Sequence, residues 1–236
     1  PLLSGLVGSE MCIRDSLLAG PAARDVLAAC TPADVSPERF RWLQARELSV
    51  GGVSCLALRL SVTGELAWEL HAPNGQLSEI WTALWTAGAP YRIAAFGSKA
   101  LDSLRLEKGC PGGQELANDT GHKGTGQLRF ARLDKDFVGK QAMLSLRPAS
   151  EMILLALDET ENECLGGEPV FLGAERVGSV TSATFGHSVG MSLAMAFVST
   201  EAGMAEQYFV ELLGQRIAAR MLEKAPYDPH NLRVRV

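Results

Sequence analysis

A chain of 236 residues can hold one large or two small domains, and a hydrophobic share of 47% with scattered charges is that of an ordinary soluble protein with a sizeable core. The formal charge of −5 is spread without a basic stripe or acidic tail, so nucleic acid is not an expected partner. No apolar run reaches the roughly 18 residues of a membrane span: the best, "MILLALDE", breaks at Asp158 and reads as a buried strand, so no membrane is expected either.

In chain order, "LVGSEMCIRDS" at residues 6–16 has neither helical stripe nor strand alternation. Leu6 through Asp15 back-translates, with Ser16 as a split codon, to a transposase mosaic-end adapter of sequencing-library preparation. Residues 1–16 are therefore set aside as an adapter artefact, with the native chain beginning near Leu17 and its upstream part lost. A start at Met11 would offer a lipoprotein-type signal ending in "LAAC", but Arg24 and Asp25 interrupt its apolar region, and a cytosolic-type helix is the better reading.

"GPAARDVLAAC" predicts that helix, with Pro21 in its first turn and Ala22, Val26 and Ala29 on one face. "TPADVSPERF" is the loop that stops it. "ARELSVGGVSCLALRLSVTGELAWELHAP" alternates around Gly51-Gly52 and again after Gly64, the signature of a strand meander. "QLSEIWTALWTAG" repeats Leu77, Ile80, Trp81 and Leu84 at helical spacing, and "SKALDSLRLEKG" carries Leu101, Leu104 and Leu106 before the stop at Gly109. "CPGGQELANDTGHKGTGQ" is glycine-rich and nearly devoid of apolar residues, a surface loop, and "DKDFVGKQAMLSLR" adds a turn and a helix. From "EMILLALDE" onward only short strands and turns follow, which predicts a small barrel or sandwich. The boundary falls near Arg147-Pro148, giving domains at 17–147 and 148–236.

Cys12 lies in the adapter-like stretch, while Cys30, Cys55, Cys110 and Cys164 are far apart with no CxxC pair or histidine cluster. Neither a metal site nor a disulfide framework is implied, and such thiols suit a reducing compartment.

Four blocks, "TGELAWELHAP", "GSKALDSLRLEKG", "LDKDFVGKQAM" and "GEPVFLGAERVGSVTSATFGHSVGMSLAMAFV", together with "AGPAARDVL" and "YDPHN", resemble the glycine cleavage system T protein (aminomethyltransferase) superfamily. The wording looks closest to the C-terminal folate-binding half of flavin-dependent dimethylglycine and sarcosine dehydrogenases. The resemblance implies an α+β fold: part of a folate-binding α+β domain followed by a small C-terminal β-barrel.

It also implies tetrahydrofolate as cofactor, FAD in an upstream domain, a small N-methyl amino acid as substrate, and a cytoplasmic location or the mitochondrial matrix in a eukaryote. In the family pattern the glutamate of "TGE", here Glu65, binds the pterin ring. A carboxylate can accept the pterin amino group and adjacent ring N–H in pairs, and Gly64 allows close backbone approach. Without the resemblance Glu65 would read as a solvated residue after a turn. Arg105 reaches either a carboxylate or the acidic tail of the folate, with a structural ion pair to Asp102 or Glu107 as the alternative.

Trp68 and Trp81 could stack on a planar ligand, but their spacing favours core packing. His187 in "FGHSVG" is a local hydrogen-bonding group rather than a catalyst, and His122 and Lys123 read as solvated. Val62 stands where the family often has tyrosine, and "GHKGTG" replaces a "TPLEAG"-like run, so a ligand contact and the loop that closes the pocket depart from the family pattern.

A competing resemblance is "KGCPGGQE", similar to the signature of folate-binding iron–sulfur-cluster assembly factors, in which Cys110 would be a glycine-exposed, reactive thiol. In the dehydrogenases a flavin domain oxidises an N-methyl amine to an iminium, and folate captures the carbon as methylene-tetrahydrofolate. The family's proton-handling aspartate belongs to the preceding segment, and Asp25 and Asp34 match no part of its motif, so no catalytic residue is assigned. The expectation is half a folate site, silent alone, with an apolar face left by the lost part.

Overall fold

The computed structural model describes residues 13–116, 121–158 and 161–236. Cys12, most of the adapter-like stretch and the middle of the polar loop lie outside the described residues. The chain forms two compact units, one of residues 1–96 with 230–236, the other of residues 97–229.

The first unit is an antiparallel four-stranded sheet in the order β1-β4-β3-β2. Strand β1 is Ile13–Ala19, β2 Ala45–Val50, β3 Val53–Leu58 and β4 Ala67–Pro73. The meander β2 to β4 is the one expected from its alternation, with Leu48, Val50, Val53, Cys55 and Ala57 all turned inward. Patterning over residues 6–16 shows no element, yet β1 takes in Ile13–Ser16, which pair with residues 70–73 of β4. Register against an existing strand decides this edge, where the local sequence has no alternation of its own.

Helix α1 (Ala23–Cys30) and helix α2 (Leu77–Gly88) cover one face of the sheet. The buried side of α1 is Ala23, Val26 and Leu27, one step round from the expected Ala22–Val26–Ala29 face. The larger Leu27 draws the helix toward the core, where Phe40, Trp68, Leu70 and Ile80 meet it.

The second unit holds helix α3 (Ser98–Glu107), the single turn α4 (Gly121–Gly124), helix α5 (Lys140–Ser145) and six strands. These are β5 (Ser150–Leu157), β6 (Pro169–Leu172), β7 (Glu175–Gly186), β8 (Met191–Ser199), β9 (Gln207–Leu212) and β10 (Gln215–Met221). They close as a barrel in the order β10-β5-β8-β7-β6-β9, which removes every free edge. The barrel is filled by Ile153, Leu155, Val170, Val180, Tyr208 and Val210 among others, and α3 packs on its outside through Leu106 against Leu193 and Met195. Among the described residues no helix is long and apolar enough to cross a membrane.

Candidate functional site

Glu65 sits near the end of the connection between β3 and β4, residues 59–66. Gly64 adopts φ 84°, a left-handed conformation that glycine accepts without cost. The turn is pinned by hydroxyls: the Gly64 N–H donates to Ser61 Oγ (3.1 Å) and the Glu65 N–H to Thr63 Oγ1 (3.4 Å). Such side-chain-to-backbone bonds stiffen a turn that would otherwise fray. The Glu65 side chain is 18% exposed, and its Oε1 accepts from the Arg233 guanidinium at 2.9 Å. Arg233 belongs to the tail of the first unit, 168 positions away in sequence, and no local signal could have identified it.

Arg105 lies in the second unit, and there the ion pair with Asp102 is present, Nε to Oδ1 at 2.8 Å. Its buried partner, Glu115, was not expected from the sequence. Glu115 is fully buried, and its Oε2 accepts from Arg105 Nη1 (3.3 Å) and from the Gly112 N–H (2.7 Å). Its Oε1 accepts from the hydroxyls of Thr181 (2.6 Å) and Ser182. Adjacent strand residues normally face opposite ways, but the register of β7 against β8 shifts between Val180 and Ser182, and this bulge brings both hydroxyls onto one oxygen.

Arg105 completes the cluster by donating from Nη2 to Ser182 Oγ (2.9 Å) and from Nη1 to the Cys110 carbonyl (3.2 Å). Burial pushes the Glu115 carboxyl upward, but the bonds from Ser182, Thr181 and Gly112 and the Arg105 charge outweigh it, leaving its pKa below the ordinary value.

This cluster accounts for the "KGCPGGQE" stretch differently from the cysteine-centred reading. A Cβ at Gly112 would come within 2.7 Å of the Arg105 guanidinium carbon, so a side chain there would push the guanidinium out of its present place. The expected exposed, reactive thiol is corrected: Cys110 is only partly accessible, and desolvation raises its pKa despite Lys108, Arg129 and Arg105 nearby. A raised pKa means less thiolate and a poorer nucleophile.

The expected alternative partner of Arg105, Glu107, is engaged elsewhere. Its Oε1 accepts from the Ser188 N–H (2.8 Å) and its backbone carbonyl from the Tyr227 N–H (3.0 Å). Lys108 donates from Nζ to the Asp228 carbonyl (2.6 Å) and carboxylate (3.3 Å). The end of α3 thus fastens the "FGHSVG" turn and the "YDPHN" segment, two of the blocks that carry the family resemblance.

The remaining candidates separate cleanly. Trp68 is fully buried, whereas Trp81 is 51% exposed and stacked on Trp85 at 5.4 Å, a correction to its expected core role. On α2 the buried stripe is Ile80, Leu84 and Gly88, and Trp81 falls outside it. His187 is exposed and packs edge-on against Phe185. The His122 side chain lies outside the described residues. Lys123, expected to be solvated, instead caps α5 by donating to the carbonyls of Leu144 (2.6 Å) and Leu146 (3.0 Å). Asp25 and Asp34 are exposed, and Asp34 accepts from the Ser36 N–H at 2.9 Å.

Comparison with known proteins agrees with the barrel and the sheet that precedes it. Residues 14–135 match the family described as GCVT N-terminal domain, and residues 151–228 match the Glycine cleavage T-protein C-terminal barrel domain. Mitochondrial dimethylglycine dehydrogenase of Homo sapiens is 34% identical over 88% of this chain and 25% of its own length. Mitochondrial sarcosine dehydrogenase of Mus musculus is 31% identical over 92% of this chain and 25% of its own length. The crystal structure of glycine cleavage system aminomethyltransferase T from Bartonella henselae superposes with a TM-score of 0.74 at 28% identity, covering 90% of this chain and 59% of that one. The chain therefore spans about a quarter of the length of these dehydrogenases.

Proposed function

The chain belongs to the glycine cleavage T-protein family, and from that premise we propose that it is the folate-binding, one-carbon-transfer module of a flavin-dependent N-methyl-amine dehydrogenase of the dimethylglycine or sarcosine kind. Identity to such dehydrogenases along nearly the whole chain supports this reading. The single structural observation behind it is Glu65, a largely shielded carboxylate on a glycine turn stiffened by two hydroxyls.

Tetrahydrofolate, when bound, supplies the nucleophilic nitrogens that accept a one-carbon unit. Glu65 would hold it by accepting a pair of N–H bonds from the pterin edge, which fixes the ring in place. Arg233, already on Oε1, would share or yield that carboxylate. Arg105, the second residue the family pattern points to for folate, is held within its own unit by Glu115 and Ser182, and any ligand contact of its guanidinium requires that hold to loosen.

No side chain of this chain is assigned the proton transfer. The proposal is thus a half-site, with FAD and the oxidative step belonging to a parent protein. The domain boundary near residues 147–148, which falls in the gap between the two matched regions while the compact units divide after residue 96, and the adapter origin of residues 1–16 belong to the same proposal.

Calorimetric titration with tetrahydrofolate tests the half-site. Binding weaker than micromolar is expected, further weakened by Glu65→Ala, and a sub-micromolar constant contradicts the idea. Recovering the native reading frame ahead of Leu17 tests the parent: a GxGxxG dinucleotide fingerprint there is expected.

A further inference from the structure

Arg105 carries one positive charge and faces two carboxylates of opposite accessibility. The Asp102 side chain, on Nε at 2.8 Å, is 56% exposed, whereas that of Glu115, on Nη1 at 3.3 Å, is wholly enclosed. A guanidinium presents its N–H groups along edges, each of which can grip a carboxylate with two parallel bonds. The Nη1 end is taken by Glu115 and by the Cys110 carbonyl. The Nε–Nη2 edge is held by Asp102 and the Ser182 hydroxyl (2.9 Å), and the exposed Asp102 marks the side that solvent reaches.

The two holds differ in strength. Glu115 keeps three further donors, the Gly112 N–H and the hydroxyls of Thr181 and Ser182, whatever Arg105 does. Among the described residues Asp102 is bonded through Arg105 alone, and an ion pair so exposed contributes little and exchanges readily. The arginine is thus anchored at depth and replaceable at its outer edge.

We propose that Glu115 sets the affinity of Arg105 for an external carboxylate, which enters at the Nε–Nη2 edge in exchange for Asp102 and Ser182. The buried acid already balances the guanidinium, so an arriving anion gains only what it takes from those two side chains. Removing that charge leaves the cation uncompensated in a poorly solvated place and strengthens its pull on any carboxylate. The exchange concerns the second unit by itself; naming the acidic tail of a folate as the natural carboxylate rests on the reading given above. The "GGQE" stretch thereby acts on ligand affinity through its glutamate, with the cysteine uninvolved.

Glutarate, a dicarboxylate mimic of such a tail, is titrated into the full chain at constant ionic strength while thermal unfolding is followed. The native chain is expected to respond weakly. Glu115→Gln, which keeps an acceptor for Gly112 and the hydroxyls, is expected to bind glutarate about tenfold more tightly, the scale of one charge removed beside a shielded cation. The gain is read as a saturable rise in Tm. Asp102→Asn, at an exposed position, should also bind more tightly and keeps the test decisive if Glu115→Gln does not fold. Arg105→Met should abolish the response in either background. A purely structural Glu115 predicts the opposite sign, a lower Tm with weaker binding. Unchanged glutarate affinity in every folded variant, or a gain that survives Arg105→Met, overturns the proposal. Tetrahydrofolate and a tail-less tetrahydropterin are then compared by calorimetry, with the gain expected for the folate alone. Tighter glutarate binding with neither pterin bound by any chain would overturn the folate reading while upholding the exchange at Arg105.

Discussion

Glu115 shows what a buried carboxylate needs in order to stay charged. Four donors from three separate elements converge on its two oxygens, and each is lost on unfolding. Removing one member of such a buried pair leaves the other unpaired, at a cost of about 3–5 kcal/mol. Glu115→Ala is therefore expected to destabilise the chain by about that amount in urea unfolding, and Glu115→Gln by less, since the amide keeps an acceptor while losing the charge.

The pH dependence follows from the lowered pKa. Folding is favoured above the ordinary carboxylate value of about 4.3 and loses this contribution as pH falls through the lower folded value. Unfolding measured from pH 6 down to pH 2 should thus steepen in the native chain and flatten in Glu115→Gln. Equal slopes would mean that the carboxylate is not charged in the fold. None of this was legible in "GGQE": the helical Arg105 and the hydroxyls of β7 come from 10 and 66 positions away, distances over which sequence spacing carries no contact information.

At the scale of elements, the turn joining β2 and β3 makes the most local demand. Val50 pairs with Val53, so Gly51 and Gly52 are the two central residues of a hairpin, with φ 59° and 88°. Gly51 carries a second constraint, because a Cβ would lie 2.6 Å from the Ala83 Cβ of α2, whereas Gly52 faces open space. Gly52→Ala is expected to cost only the left-handed penalty of about 1–2 kcal/mol. Gly51→Ala adds overpacking of about 1–3 kcal/mol. Urea midpoints with an unchanged slope would measure both, and equal losses at the two positions would show that α2 does not press on the turn.

The same scale explains what the sequence disclosed. Meander, helices and barrel were legible because periods of 2.0 and 3.6 are imposed by burial on one face. The buried face of α1, the start of β1 and the orientation of Trp81 were not, because each is decided by a neighbouring element. The sheet edge, the weight of Leu27 and the stripe centred on Ile80 lie beyond any local window. Of the site, the Gly64-Glu65 turn was readable from its glycine, and the tail arginine paired with it was not.

For the molecule as a whole, the distribution of exposed apolar surface matters more than the charge of −5. Trp81 and Trp85 present a stacked pair of indoles to solvent, 51% and 42% exposed, on a helix whose opposite face is already buried. In the same unit Tyr91 and Phe96 are also exposed. Indoles carry the largest apolar area of any side chain, and exposed pairs of this kind drive association when several project from one compact body. Sedimentation velocity at increasing concentration is expected to show self-association, weakened in the double variant Trp81→Lys, Trp85→Glu. On a solvated helix face that double change removes apolar area without opening a cavity, so stability should move by less than about 1 kcal/mol. A monomer at all concentrations would mean that the net charge keeps copies apart despite the indoles. A double variant that still associates would place the contact on other exposed residues, such as Phe130 or Leu165 of the second unit.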